Sequence, residues 1–262
     1  LSRRAQFLDV HLNGCVARDA DGDAVGIAHL RADRRRKAIA HRAQAPGRQP
    51  FAVTSHRHRP FPREEDTQGN GERASATVVE HVETYCQSDS IEMCLTDIEA
   101  RLSQAHEACG NIPGSGASGT TVAALLICHS KALFVWAGDS RIYRMRDGKL
   151  VLVTEDHNLA HERHRRGELS LDDAQRLPSA NVLTKAVGIS QHLRLQTHVD
   201  EVKASDRYLI STDGLYKEFT LESLRQSLIG PFDGQILKRL IDEALNQGGK
   251  DNITGVVVDV GN

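Results

Sequence analysis

The sequence predicts an α+β domain in which antiparallel strands and paired helices pack as separate layers. Apolar residues at helical spacing mark two consecutive amphipathic stretches, 71–86 and 88–109. Short β-rich segments broken by turns then follow one another over 119–157, and helices and further strands complete the chain. Because the strands come in runs, this order favours antiparallel sheets over a sheet of parallel strands that alternate with helices.

Composition limits the class of protein. The chain has 262 residues and a net charge of −2, which does not indicate a globally basic nucleic-acid-binding protein. No apolar run approaches the length of a membrane span, so we expect no membrane partner. The five cysteines lie far apart without a C-x-x-C pair, a pattern typical of reduced thiols in a cytoplasmic protein. They are Cys15, Cys86, Cys94, Cys109 and Cys128.

The N-terminal quarter contains an anomalous basic stretch. Residues 1–28 carry two weak strand-like runs, "FLDVHL" and "AVGIA", around the acidic turn "RDADGD". Residues 29–63 hold ten Lys and Arg, four His and four of the seven prolines against one acidic residue, Asp33. No helical or strand period is evident there, so we expect a solvated loop. A nucleic-acid or partner arm and a segment translated in the wrong frame are the alternative interpretations. We therefore predict one domain over 1–262, with 29–68 as a disordered or mistranslated insert.

Two helices are expected to form an antiparallel hairpin. Each has apolar residues on one face, and the second begins with acidic residues that favour a helix N-terminus. The predicted core positions are Ala74, Val78, Val82 and Tyr85 in the first helix, and Ile91, Leu95, Ile98 and Leu102 in the second.

The remaining elements follow from turn signals and capping residues. Breaks at 129–130, 138–139 and 147–148 divide the β-rich region, and the Asp-Gly pair of the last break predicts a hairpin. Residues 157–176 are predicted as a charged helix, with Ser170 and Asp173 spaced as a capping box. The strands "LRLQTHV", "RYLIS" and "ITGVVVDV" and the helices 220–229 and 232–247 complete the prediction, and Gly248-Gly249 closes the last helix.

Two motifs suggest binding sites that their context does not support. "GSGASG" at 114–119 fits G-x-G-x-x-G, but that dinucleotide motif needs a strand before it and a helix after it, and here the order is reversed. We interpret the segment as a helix-to-strand linker. His157, His161 and His164 suggest a helical zinc site, yet the spacing is not H-E-x-x-H and arginines surround it. A charged, exposed helix is the favoured interpretation.

Three aspartates lie at strand ends beside glycines. Asp139 directly follows the strand that ends in "VWAG", Asp213 follows "YLIST", and Asp251 precedes the final strand behind Gly248-Gly249. Each alone is typical of a turn. Together they form a set of carboxylates that Mg²⁺ or Mn²⁺ would prefer as ligands.

The order of these motifs resembles a known family. The segments "GTT", "VWAGDSRIYRMRDGKL", "VTEDHN", "LTKAVG", "LISTDGLYKEF" and "GGKDNIT" resemble the metal-dependent protein phosphatases, the type 2C serine/threonine phosphatases, and especially their bacterial branch, over about 69–260. The resemblance implies a four-layer α-β-β-α sandwich of two antiparallel sheets between helix pairs. It also implies an enzyme of signal transduction that removes phosphate from phosphorylated proteins, in opposition to a serine/threonine kinase.

The resemblance also implies a set of site residues. Asp213 and Asp251 correspond to metal ligands of a site for two Mn²⁺ or Mg²⁺ ions, and Asp139 corresponds to a ligand of an additional, weaker ion. "RDADGD" resembles the family's first motif, which would make Arg18 the phosphate-binding residue and Asp23 a further metal ligand. The family's Asp-Gly motif, whose aspartate bridges both ions, has no counterpart at the expected place. The alternative function is therefore a phosphatase-like domain that binds a phosphoprotein or a partner without turnover.

Overall fold

We describe a computed structural model of the chain. It describes backbone alone at 5–7, 15–18, 24–25, 28–30, 51–57 and 67–70, and backbone with side chains from 71 onward except at 84, 86–87, 89, 114–118, 231–234, 250 and 261–262.

The elements come in runs of strands and runs of helices, and from α1 onward they follow the order that the sequence predicts. The strands are β1 (Ala5–Phe7), β2 (Cys15–Arg18), β3 (Ala24–Val25), β4 (Ala28–Leu30), β5 (Phe51–Arg57), β6 (Thr120–Cys128), β7 (Lys131–Ala137), β8 (Arg141–Arg146), β9 (Lys149–Leu152), β10 (Gln196–Glu201), β11 (Arg207–Ser211) and β12 (Ile253–Val260). The helices are α1 (Thr67–Glu83), α2 (Ile91–Gly110), α3 (Leu159–Arg165), α4 (Leu171–Gln175), α5 (Asp213–Tyr216), α6 (Leu221–Leu228) and α7 (Ile236–Asn246). None of the helices in the described part of the chain is long and apolar enough to cross a lipid bilayer.

The strands form two antiparallel sheets. One has the order β1-β12-β11-β8-β9, with β4 also paired to β12, and the other has the order β10-β7-β6-β5-β2-β3. The hairpin between β8 and β9 turns at Asp147 and Gly148, whose φ angles of 50° and 72° are those that a tight hairpin turn requires. These pairings confirm the antiparallel fold class.

Side chains that alternate between the two faces of each strand pack the structure into four layers. On β6, Ala123, Leu125 and Ile127 face the other sheet, while Val122 and Leu126 face α1 and α2. The opposite side of the sandwich is closed by α5, α6 and α7, which pack on β8, β11 and β12 through a third apolar cluster. The order helix pair, sheet, sheet, helices is the predicted sandwich. Within the helix hairpin, the predicted positions Ala74, Val78, Val82, Ile98 and Leu102 are fully buried.

The basic stretch differs from the predicted loop at residues 51–57. This segment forms β5, which pairs with β6 over seven positions, from Phe51 opposite Leu126 to Arg57 opposite Thr120. The prediction of a loop is wrong here because the short β-forming run "FAVT" is flanked by prolines and arginines, which concealed its pattern. His29 and Leu30 also pair, through β4, with β12. The rest of the stretch lies outside the described residues, and the domain assignment stays a prediction.

The predicted helix over 157–176 is two short helices. Between α3 and α4 the chain turns at Gly167, where φ is +72°. Ser170 caps α4 as expected, since its hydroxyl accepts a hydrogen bond from the Asp173 N–H at 3.1 Å. His157 precedes α3 and is buried, so it is not part of an exposed helix. In the segment 114–119, only Gly119 is described; a helix precedes this segment and a strand follows it, as expected.

Candidate metal centre

The ends of β11 and β12 bring Asp213 and Asp251 side by side. The two strands are antiparallel neighbours, so the exit of β11 lies beside the entry of β12. The Thr212 N–H donates to the Thr254 carbonyl at 3.0 Å, and the Thr254 N–H donates to the Thr212 hydroxyl at 3.1 Å. These bonds fix the residue immediately before Asp213 against the start of β12.

Gly214 permits a close approach between the start of α5 and the loop that carries Asp251 and Asn252. A Cβ atom at this position would lie 2.3 Å from the Asn252 carbonyl oxygen and 3.3 Å from the Asp251 carbonyl carbon. Both are backbone atoms, which cannot give way as a side chain could. The Asp251 carboxylate also accepts a hydrogen bond from the Asn252 N–H at 2.7 Å, which orients it within its loop.

Asp139 reaches the same site from the link between β7 and β8. The Tyr216 hydroxyl, which belongs to α5 just after Asp213, donates to the Asp139 carbonyl at 3.1 Å. The Asp139 residue is 2 % exposed and Asp213 is 7 % exposed, whereas Asp251 is exposed. Gly138 has a φ of +119°, and a Cβ there would lie 2.4 Å from the Thr121 side chain, so the turn that leads into Asp139 requires glycine.

Lys217 supplies the positive charge that faces the three aspartates. Its ammonium group lies 2.8 Å from the Asp213 carboxylate, one helical turn further along the chain. Burial lowers the pKa of Lys217, but the charges of Asp213, Asp139 and Asp251 outweigh burial and raise that pKa above its ordinary value. Three carboxylates that are distant in sequence therefore act on one ammonium group.

Arg141, which is paired with Asp156, packs over the ring of Tyr216. The Arg141 guanidinium donates two hydrogen bonds to the Asp156 carboxylate, at 2.9 and 2.8 Å, and lies 3.9 Å from the centre of the Tyr216 ring. Burial raises the pKa of Tyr216 well above its ordinary value, and the charges of Asp156 and Asp139 add to the effect. The phenol is therefore protonated at neutral pH and remains a donor to Asp139.

His157 holds the other side of the Gly138-Asp139 turn. Its Nδ1 accepts a hydrogen bond from the Gly138 N–H at 3.1 Å, and the backbone N–H of His157 donates to the Gly138 carbonyl at 2.9 Å. Its Nε2 lies 2.8 Å from the Gln196 side-chain oxygen. Burial lowers the pKa of His157, the bond to Gln196 works in the opposite direction, and the charge of Lys185 adds to the lowering. A neutral imidazole fits these contacts.

The carboxylates at this site are of the type that binds a hard divalent ion, but the described residues supply too few of them to hold one alone. Carboxylate oxygens are the ligands that Mn²⁺ and Mg²⁺ prefer, and Asp213 and Asp251 converge through the contact that only a glycine allows. Within the described ranges, no group of three His, Cys, Asp or Glu side chains is placed so that it could hold a metal ion by itself.

The backbone of Arg18 lies away from this site. Arg18, at the end of β2, pairs with Phe51, which in turn pairs with Leu126. Leu126 lies six residues along β6 from Thr120, at the end of the strand away from Gly138. At about 3.3 Å per residue, this places the Arg18 backbone roughly 20 Å from the level of the site. The side chain of Arg18 and all of Asp23 lie outside the described residues.

The end of β5 lies at the same end of its sheet as the site. Ser55, His56 and Arg57 pair with Val122, Thr121 and Thr120, at the same end of β6 as Gly138. Sequence reasoning missed this strand, and it also missed Lys217, Tyr216 and His157 as supporting residues. The spacing of four residues between Asp213 and Lys217 was a signal, because i and i+4 share a helix face.

Comparisons with known proteins agree with this architecture. Residues 68–248 match the family model described as protein phosphatase 2C. The serine/threonine phosphatase stp of Listeria welshimeri is 35% identical over 147 residues, which are 54% of this chain and 56% of that protein. The chain thus spans about half the length of this relative.

Solved structures extend the likeness to nearly the whole chain. The serine/threonine phosphatase of S. agalactiae aligns with a TM-score of 0.75 over 98% of this chain and 99% of that one, and at 19% identity it shows the shared fold. The catalytic domain of the phosphatase PstP, solved in complex with two manganese ions, aligns with a TM-score of 0.68 at 25% identity, over 95% of this chain and 100% of that one. With the family match over 68–248, the chain belongs to the protein phosphatase 2C family.

Proposed function

We propose that this chain is a protein serine/threonine phosphatase domain that uses Mn²⁺ or Mg²⁺ to hydrolyse phosphoserine and phosphothreonine in proteins. The observation that carries the proposal is the contact between Gly214 and Asn252, which sets Asp213 beside Asp251 at the mouth of the sandwich. Asp139 supports it, since its charge acts on the same ammonium group as theirs. The phosphatases among the matched proteins support the substrate class, a phosphorylated protein.

Each aspartate has a role in this proposal. Asp213 and Asp251 hold the two ions, and Asp139 holds an additional, weaker one. Divalent ions in such sites lower the pKa of a water molecule and stabilise negative charge on the phosphoryl oxygens. The chain's own contribution is a fixed backbone. The bonds between Thr212 and Thr254, and the bond from Tyr216 to the Asp139 carbonyl, hold the backbone next to the aspartates in place before any ion binds.

A second candidate is a phosphatase-like domain that binds phosphoprotein without turnover. It is favoured by the incomplete ligand set, because the described part of the chain offers no group of three side chains able to hold a metal. Two ions held close together with one fewer shared anion repel each other more strongly, so one of them binds weakly. We therefore expect phosphatase activity well below that of a complete two-metal site.

The experiment compares three charge-removing variants. Asp213→Asn and Asp251→Asn keep the side-chain volume and remove a carboxylate from the site, so each should abolish Mn²⁺-dependent hydrolysis of p-nitrophenyl phosphate. Asp242→Asn is the matched control, since Asp242 lies on α7 in an exposed pair with Lys238. It should hydrolyse at the rate of the unaltered chain. Unchanged activity in both site variants would contradict the metal assignment.

A phosphothreonine peptide separates the two candidate functions. Under the first, the unaltered chain releases phosphate from the peptide in the presence of Mn²⁺, and chelation of the ion stops the release. Under the second, the chain binds the peptide and releases none at any Mn²⁺ concentration. Calorimetry with the peptide, beside a phosphate-release assay, distinguishes them.

A further inference from the structure

Lys217 lies where a cation would be held by the aspartates. Its ammonium group contacts the Asp213 carboxylate at 2.8 Å, and the charges of Asp139 and Asp251 also act on it. The Lys217 side chain is 42 % exposed, whereas the Asp213 side chain is 8 % exposed. A flexible cation therefore reaches in from solvent to a buried anion.

We propose that Lys217 is an internal counter-ion that competes with the divalent ion for Asp213 and so sets the metal affinity of the site. The inference rests on the proposed metal site and adds a residue that controls it. In the protein without metal, the ammonium group neutralises part of the charge of the Asp213 carboxylate, with which it is paired. An arriving divalent ion must displace it from Asp213, because two cations at one carboxylate repel each other.

The surroundings of Lys217 allow this displacement. The ammonium group is carried by a four-carbon stem with rotatable bonds, so it can leave Asp213 without movement of the backbone. Asn181 offers a second acceptor, since its side-chain oxygen lies 3.4 Å from the same ammonium nitrogen. The backbone at this point is fixed, because the Lys217 N–H donates to the Asp213 carbonyl at 3.1 Å. The side chain can therefore move from one partner to the other while α5 stays in place.

The chain contains a matched control pair. Lys238 and Asp242 on α7 also lie four residues apart, with 2.7 Å between the ammonium nitrogen and the carboxylate oxygen. Both side chains are about half exposed, and neither belongs to the site. Lys238→Met thus removes the same charge in the same helical spacing, away from the three aspartates.

The test measures Mn²⁺ binding by calorimetry on protein freed of metal. Lys217→Met removes the competing charge and keeps the length of the side chain, so its Mn²⁺ affinity should rise on the order of tenfold, the scale expected of one half-exposed charge. Lys217→Arg keeps the charge and should stay near the affinity of the unaltered chain, as should Lys238→Met. The double variant Lys217→Met with Asp213→Asn should lose the increase in Mn²⁺ affinity. That loss would show that Lys217 acts on the affinity through Asp213.

Thermal unfolding provides a readout that does not depend on activity. Without metal, Lys217→Met should unfold at a lower temperature than the unaltered chain, because the buried Asp213 carboxylate loses its counter-ion. Saturating Mn²⁺ should abolish this difference in unfolding temperature. An equal or weaker Mn²⁺ affinity in Lys217→Met, with lower unfolding temperatures both with and without metal, would show that Lys217 is only structural and overturn the inference. If neither protein binds Mn²⁺, the proposed metal site itself is wrong, and the inference fails with it.

Discussion

Gly214 and Asn252 pack backbone against backbone, with no space between them for a side chain. A Cβ atom on Gly214 would lie 2.3 Å from the Asn252 carbonyl oxygen and 2.9 Å from its carbonyl carbon. These separations are shorter than any ordinary contact between atoms that are not bonded. The glycine after Asp213 therefore decides how closely the loops that carry Asp213 and Asp251 approach each other.

Replacing Gly214 by alanine should separate these loops. The added methyl group has to push backbone atoms apart, and overpacking of this kind typically costs about 1–3 kcal/mol of unfolding free energy. Mn²⁺ binding should weaken as well, because the two carboxylates move apart. Urea denaturation and calorimetric Mn²⁺ titration measure the two effects.

Gly110 provides the control for this substitution. It is the last residue of α2, and a Cβ there would meet nothing within 4 Å. Gly110→Ala should therefore leave the free energy of unfolding equal to that of the unaltered chain or slightly higher, since alanine is favoured over glycine in helices. If Gly214→Ala behaved like Gly110→Ala in both measurements, the close contact would not govern the site.

The Tyr216 hydroxyl ties the Asp139 turn to the helical turn that follows Asp213. Tyr216→Phe removes this donor and keeps the ring beneath Arg141, so we expect a loss of about 0.5–1.5 kcal/mol of unfolding free energy. Because Asp139 is then held less firmly, binding of the additional, weaker ion should also decrease. Urea denaturation and Mn²⁺ titration give the two values.

Tyr208→Phe separates loss of stability from an effect on the metal. The Tyr208 hydroxyl is also buried and donates to a carboxylate, that of Asp206, at 3.1 Å. Its loss should lower stability by a comparable amount and leave Mn²⁺ binding unchanged. Equal Mn²⁺ titrations for Tyr216→Phe and the unaltered chain would contradict a role of Tyr216 at the site.

Several strands were predictable because their signals are local. The apolar run 253–260 and the Asp-Gly pair at 147–148 each specify an element without reference to the rest of the chain. Asp213 and Asp251 were predicted to share a site from their positions at strand ends and from the family resemblance. Their actual proximity depends on the pairing of β11 with β12, which sequence periodicity alone does not determine.

The features that the sequence did not predict depend on tertiary contacts. Residues 51–57 form a strand because β6 offers a buried partner edge, although prolines and arginines on both sides suggested a loop. His157 was grouped with the charged residues that follow it, and only the tertiary fold shows that it is buried against Gly138. Lys217 was not considered, because its direction toward Asp213 depends on a helical turn that begins at Asp213 itself.

The imidazole of His157 is buried and stacks on the ring of Trp136. Their rings lie nearly parallel, with 6.1 Å between centroids. Since Nδ1 accepts from the Gly138 N–H, Nε2 carries the proton and donates to Gln196. Protonation of Nδ1 would set two N–H groups against each other and break the bond that supports the turn before Asp139.

The free energy of unfolding should therefore fall in mildly acidic solution, because the His157 imidazole becomes protonated more readily in the unfolded chain. The pKa of this group is lowered in the folded protein from an ordinary 6.5, so below about pH 6.5 the unfolded chain binds a proton that the folded chain resists. The contribution of the neutral imidazole is complete above that pH and declines as the pH falls toward the lowered folded value. His157→Asn removes the titrating group, and urea denaturation between about pH 7.5 and pH 5 should show a shallower decline than the unaltered chain. His192→Asn, at an exposed position, should keep the original slope. Equal slopes for His157→Asn and the unaltered chain would show that the acid sensitivity arises elsewhere.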